Sequence, residues 1–158
     1  MKKTILVACL GLVSVLATHA QSNSAKVDYF SAQEIQKQLA DLDAKAQPSG
    51  GSGSTLGEYA NHQLKLSVRS SSGGAEMHAH YADVFYVTQG KATLITGGSI
   101  TNAKTDDSGE TKGNEITGGS TRVISVGDVV NIPPGTPHQL KIAQGTTYSA
   151  IVIKVKTQ

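Results

Sequence analysis

Hydrophobic positions along the chain follow three regimes. Residues 5–17 (ILVACLGLVSVLA) are an uncharged apolar run behind Lys2 and Lys3. Over residues 28–47, Ile35, Leu39 and Leu42 recur at i, i+4 and i+7, the spacing of an amphipathic helix. Its start is marked twice: Ser31 and Glu34 form an S-x-x-E capping box, and Phe30 and Ile35 hold the flanking staple positions. From Tyr59 onward the period falls to two. Leu64, Leu66 and Val68 alternate with polar residues, 70–74 is a turn, and 84–87 and 92–95 read as strands around Gly90. Further strands are predicted over 122–126, 129–132, 139–142 and 148–155. Short strands punctuated by Gly and Pro indicate an all-β sandwich or barrel, with the helix as an N-terminal addition.

Two segments break the periodicity. Residues 47–57 (QPSGGSGSTLG) are rich in Gly and Ser and read as a flexible link between helix and barrel. Residues 97–120 are rich in Gly, Thr and Ser, and ITGGS occurs at both ends of the stretch, at 95–99 and 116–120. Two copies are too few for a solenoid, so the stretch is expected to be an inserted, hairpin-like excursion. The organisation expected is therefore a leader over 1–20, helix and link over 21–57, and a barrel over 58–158.

Composition adjusts this picture at one end. The 14 basic and 12 acidic side chains give a formal net charge of +2, and there is one cysteine. So small a charge offers no footprint for a polyanion, and a lone cysteine cannot pair within the chain. Lys2 and Lys3, the apolar run, and the small residues Thr18 and Ala20 at the −3 and −1 positions predict a bacterial export signal cut after Ala20. Thirteen helical residues reach only about 20 Å, short of a ~30 Å hydrocarbon core, so no stable membrane anchor is expected. Leu6-Val7-Ala8-Cys9 also fits a lipobox, but cleavage there would leave about five apolar residues where such signals need 7–15. Removal of 1–20 takes away Lys2, Lys3, Cys9 and His19. It leaves a neutral, thiol-free protein outside the cytoplasm, periplasmic or secreted.

The remaining histidines carry the candidate chemistry. His78 and His80 are one residue apart, so on a strand both imidazoles share a face. His138 follows the rigid turn Pro133-Pro134-Gly135-Thr136-Pro137 on a separate strand. Imidazoles converging from two strands suit Fe, Mn, Ni, Cu or Zn with positions left open. His62 stands apart and reads as a packed or solvated histidine rather than a ligand. Glu76 shares the alternation of His78 and His80, Tyr81 falls on the opposite face unless a turn redirects it, and Gln139 follows His138; all three are pocket candidates.

These residues resemble the cupin superfamily, marked by G(X)5HXH(X)3,4E(X)6G and G(X)5PXG(X)2H(X)3N. Gly127 to His138 (GDVVNIPPGTPH) is similar to the second motif at every fixed position until Ile142 replaces the final Asn. His78 to Gly90 (HAHYADVFYVTQG) is similar to the first, with Ser72 at the leading Gly, Asp83 for Glu, and two residues rather than three or four between His80 and the acid. The resemblance implies an antiparallel jelly-roll β-barrel, and one divalent transition metal held by His78, His80 and His138. Asp83 then binds the ion, holds it through water, or orients a histidine. Pairing into a homodimer is implied on the same ground.

Two functions fit. In one, the ion's open positions act on a small organic molecule, in dioxygenase- or isomerase-like chemistry. In the other, the barrel binds a small ligand or metal without turnover and serves an envelope or structural role. A nucleophile elbow, a thiol nucleophile and a phosphate-cradling loop are all missing from the sequence after residue 20.

Overall fold

The helix begins at the cap that the sequence marks. In the computed structural model, which describes residues 27–157, α1 spans Ala32–Ser49. Ser31 is extended, and its side chain accepts a hydrogen bond from the Glu34 N–H at 3.2 Å. That contact satisfies one of the N–H groups a first helical turn leaves unpaired. Gly50, at φ 84°, ends the helix by donating its N–H to Ala46 O at 2.7 Å. The leader expected over 1–20, Cys9 included, lies outside the described residues. None of the described helices is long and apolar enough to cross a membrane.

Strands follow in chain order: β1 Gly51–Glu58, β2 His62–Arg69, β3 Ala75–His78, β4 Tyr81–Gln89, β5 Lys91–Thr96, β6 Ser99–Ile100, β7 Lys104–Thr105, β8 Glu110–Gly113, β9 Ile116–Thr117, β10 Ser120–Ser125, β11 Val129–Ile132, β12 His138–Lys141 and β13 Tyr148–Lys156. One sheet has the order β1, β2, β13, β4, β11; the other is β10, β5, β12, β3, β8, β7; β6 and β9 form a separate ribbon. Every pairing is antiparallel. The sheets face each other across one core, because Phe85, Val87, Tyr148 and Ala150 of the first pack with Ala92, Leu94 and Ile124 of the second. This is an antiparallel jelly roll with an N-terminal helix.

The outer face of the first sheet explains the helix. Leu66 and Val68 point outward from β2 and meet Leu42 and Ala46 of α1, with Ile35, Leu39, Leu56 and Ile151 around them. Alternation then turns Gln63, Lys65, Ser67 and Arg69 of the same strand inward, where they line a cavity. β2 is apolar outside and polar inside, the reverse of an ordinary barrel strand, and the helix is what keeps its apolar face from water.

The expected flexible link is corrected here. Its first residues complete α1, and Gly51–Glu58 is strand β1, paired along β2 from Gly51↔Arg69 to Glu58↔Gln63 with a bulge between Thr55 and Gly57. The glycines serve close approach rather than mobility: a Cβ on Gly53 would lie 2.9 Å from the Leu66 carbonyl oxygen.

The excursion is a two-tier hairpin, and the repeated ITGGS is its stem. The two copies pair with each other, Thr96↔Ser120 in the sheet and Ser99↔Thr117 beyond it. Both leave the sheet at a Gly-Gly step; Gly98, at φ 70°, has no room for a side chain because a Cβ would run into Thr117 O. At the far tier β8 turns back against β3, with Glu76↔Lys112 and His78↔Glu110. The insertion therefore extends the second sheet beside the histidines.

Candidate metal centre

Three elements bring the site together. β3 supplies Glu76 and His78 on its inner face, β12 supplies His138, and β4 brings Asp83 across from the other sheet. Ligand atoms of Glu76, His78 and His138 all lie within 4.8 Å of one another. His138 Nε2 is 3.5 Å from Glu76 Oε1 and 3.9 Å from Asp83 Oδ2, and His78 Nε2 is 3.3 Å from Asp83 Oδ2. The two imidazoles stand edge to face, centroids 5.1 Å apart.

The other ring nitrogens are already committed. His138 Nδ1 lies 3.0 Å from the Thr136 carbonyl, an acceptor only, so this nitrogen carries the proton and Nε2 presents a lone pair. That Nε2 is fully buried without a hydrogen-bond partner. His78 Nδ1 donates to the Glu110 carboxylate, so its Nε2 also faces the cluster. A carboxylate or carbonyl behind each imidazole is the arrangement that fixes metal-ligating histidines.

Charge at the site is balanced by pairing. Burial disfavours an ionised Glu76, yet its closeness to the imidazoles of His138 and His78, with Arg69 beyond, holds its carboxyl down at about 2. Burial likewise opposes a charged His78, but Asp83 and Glu76 outweigh it and raise the imidazole's pKa. Asp83 is held below the usual carboxylate range despite its burial, by His78 and by Lys154, whose Nζ sits 3.1 Å from Oδ1.

The sequence candidates separate clearly. Glu76, His78 and His138 are brought together with Asp83 beside them, while His80 is exposed and outside the cluster. β3 ends at His78 and the chain bends through Ala79 and His80, so alternation does not reach His80; its ring lies over Gly109 instead. The same bend turns Tyr81 into the cavity, its ring 5.6 Å from Lys154 Nζ. Gln139 is walled in: it donates to Gly73 O and Asn114 O, accepts from Ile116 N–H, and clamps the excursion to the barrel. His62 stacks on Tyr59 at the surface.

Neither the family models nor the curated proteins contain a match to this chain. Solved structures do match in fold. TT1209 from Thermus thermophilus superposes with a TM-score of 0.53 at 13% identity, over 76% of this chain and 95% of that one. DMSP lyase DddQ from Ruegeria pomeroyi gives 0.50 at 14% identity, over 69% of this chain and 48% of that one, so the likeness spans about half of DddQ. A Cupin 2 conserved barrel domain protein from Salinispora arenicola gives 0.48 at 19% identity, over 66% and 75%.

These likenesses show the fold, an antiparallel jelly-roll barrel. Against the cupin motif that the sequence resembles, the spacing after the first pair fits two residues earlier than its histidines suggest, with Ser70 at the leading Gly and Glu76 at the first His. Glu76-x-His78 stands at the H-x-H positions, four residues separate His78 from Asp83, and six separate Asp83 from Gly90. This spacing obeys the cupin pattern where a reading anchored on His80 leaves one or two residues too few. Glu110 is the site residue sequence reasoning missed. It lies 32 positions from His78, in the excursion, and no local signal marks it.

Proposed function

We propose that the protein is an exported, metal-dependent cupin acting on a small organic molecule, with one divalent transition ion held by Glu76, His78 and His138 and with Asp83 at its side. The observation that carries this reading is the orphaned, fully buried His138 Nε2, aimed at the carboxylate of Glu76 while Nδ1 is tied to the backbone. A buried acceptor without a donor is costly unless something else occupies it. Mixed imidazole and carboxylate donors suit Fe(II), Mn(II) or Zn(II). When bound, such an ion supplies Lewis acidity or, for iron and manganese, a path for electrons.

The chain's own residues prepare the rest. Glu110 and the Thr136 carbonyl hold the two imidazoles in the ligating tautomer. Lys154 takes one oxygen of Asp83 and leaves the other facing the cluster. The cluster opens on a cavity of about 800 Å³ between the sheets, large enough for an organic substrate. Export is supported by residues 1–20 alone, and a homodimer by sheet-edge strands β10 and β11, which expose Val123 and Val129.

Oxygen uptake and product analysis with Fe(II)-, Mn(II)- or Zn(II)-loaded protein on catechols, β-diketones and sugar derivatives tests the activity. Turnover that disappears in His138→Ala is expected. Equal turnover by His138→Ala would defeat the reading.

A further inference from the structure

We propose that this cavity takes a small organic carboxylate, anchored by Arg69 and Tyr148 on the wall of the first sheet, opposite the sheet that supplies Glu76, His78 and His138. The inference rests on the reading of the cavity as the substrate pocket and names the substrate's class. Arg69 and Tyr148 are direct cross-strand partners in the β2–β13 ladder, and both side chains line the cavity. Tyr148 is 1% exposed, and its hydroxyl has no hydrogen-bond partner. Arg69 Nε is buried and equally unpartnered, and among the described residues no carboxylate forms an ion pair with its guanidinium. Two adjacent buried donors without an acceptor are a rare and unfavourable arrangement, and an incoming acceptor relieves both at once.

Space has been kept for this guanidinium. A Cβ on Gly73 would lie 2.8 Å from Nη1, and one on Gly51 would lie 3.6 Å from it, so two backbone segments without side chains flank the group. The lining as a whole carries Lys65, Arg69, Lys112 and Lys154 against Glu76, Asp83 and Glu110. Those carboxylates are occupied: Glu76 faces His138, Glu110 holds His78, and Asp83 is shared by His78 and Lys154. A divalent ion would raise the positive surplus from one charge to three, in a partly enclosed space where charges are weakly screened. Burial pushes the Tyr148 phenol up, so it remains a donor across the working pH range. A planar guanidinium fork beside a phenol donor matches the two coplanar oxygens of a carboxylate better than a tetrahedral anion.

Benzoate and butyrate, with benzamide and butyramide as neutral counterparts, test the anchor by isothermal titration on Zn(II)-loaded protein. At least one acid should bind, and its amide should bind at least tenfold more weakly. Arg69→Gln should lose roughly 10- to 100-fold in acid affinity, the range of a charged hydrogen-bonded contact, while keeping the parent's zinc content. Arg69→Lys should fall between, and Tyr148→Phe should weaken the acid without changing zinc content. His138→Ala separates the two readings, since it should lose zinc yet keep acid binding dependent on Arg69. A parent that holds no zinc but binds acid through Arg69 would defeat the metal reading and leave this one standing. No binding of either acid, equal binding by Arg69→Gln and parent, amides as good as acids, or inorganic phosphate displacing the acids at equal concentration would each overturn the carboxylate assignment.

Discussion

Removing Glu110 should cost metal affinity although Glu110 is outside the proposed ligand set. His78 has an acceptor at each end, the Glu110 carboxylate at Nδ1 and Asp83 Oδ2 at 3.3 Å from Nε2. Only one proton is present on the neutral ring, and Glu110 holds it at Nδ1, which leaves Nε2 free to ligate. In Glu110→Ala the proton passes to Nε2, where Asp83 accepts it and competes with the ion. Partners of this kind contribute about 10- to 100-fold in affinity, or roughly 1.4–2.7 kcal/mol. Here the upper half of that range is expected, because the lost acceptor also hands the proton to a waiting one. Glu110→Gln keeps an accepting oxygen and should lose less. Competition against a chromophoric chelator measures this directly, with melting of the metal-free variants as the fold control; the β3–β8 ladder is backbone and survives the change. A Glu110→Ala protein that binds zinc within about twofold of the parent would refute the tautomer argument.

Other outcomes follow from the same structure. Leu42→Ala removes the best-buried leucine of the helix from its seat on Leu66 and Val68 and should destabilise the protein by about 2–5 kcal/mol in urea unfolding; a loss under about 0.5 kcal/mol would mean that the helix is not docked. The pH dependence of stability should reverse with metal. In chelator, His78's raised pKa stabilises the fold fully below the ordinary value of 6.5, and this is lost as pH rises through the folded value, so Tm falls as the pH is taken above 6.5. With zinc the same proton must leave for Nε2 to ligate, so Tm rises over that window; equal slopes would contradict the assignment of His78. Val129→Lys places a charge on the exposed apolar edge and should shift a sedimenting dimer to monomer; a monomeric parent would remove the dimer from the proposal.

Much of this was legible in the chain, and the failures have physical causes. The helix announced itself through Ser31 and Glu34, whose cap is local, and the strands through alternation, which burial of one face enforces. His138 was legible because Pro133 and Gly135 fix the turn before it. The 47–57 segment misled because Gly and Ser signal mobility in isolation, whereas here they let β1 lie close against β2. His80 misled because a two-residue alternation holds only while the strand lasts, and β3 stops at His78. Glu76 was visible as a neighbour, yet its place in the cluster with His78 and His138 depends on where the strand ends. Glu110 and the Arg69–Tyr148 pair depend on strand pairings between distant segments, and no local pattern announces those.

The identity of the residues that hold the ion is the central claim. Elemental analysis of the protein purified after metal supplementation, alongside His78→Ala, His138→Ala and His80→Ala, tests it most directly. About one ion per chain in the parent and in His80→Ala is predicted, with little or none in His78→Ala and His138→Ala. An ion that persists without His78 or His138, or departs with His80, would contradict the site.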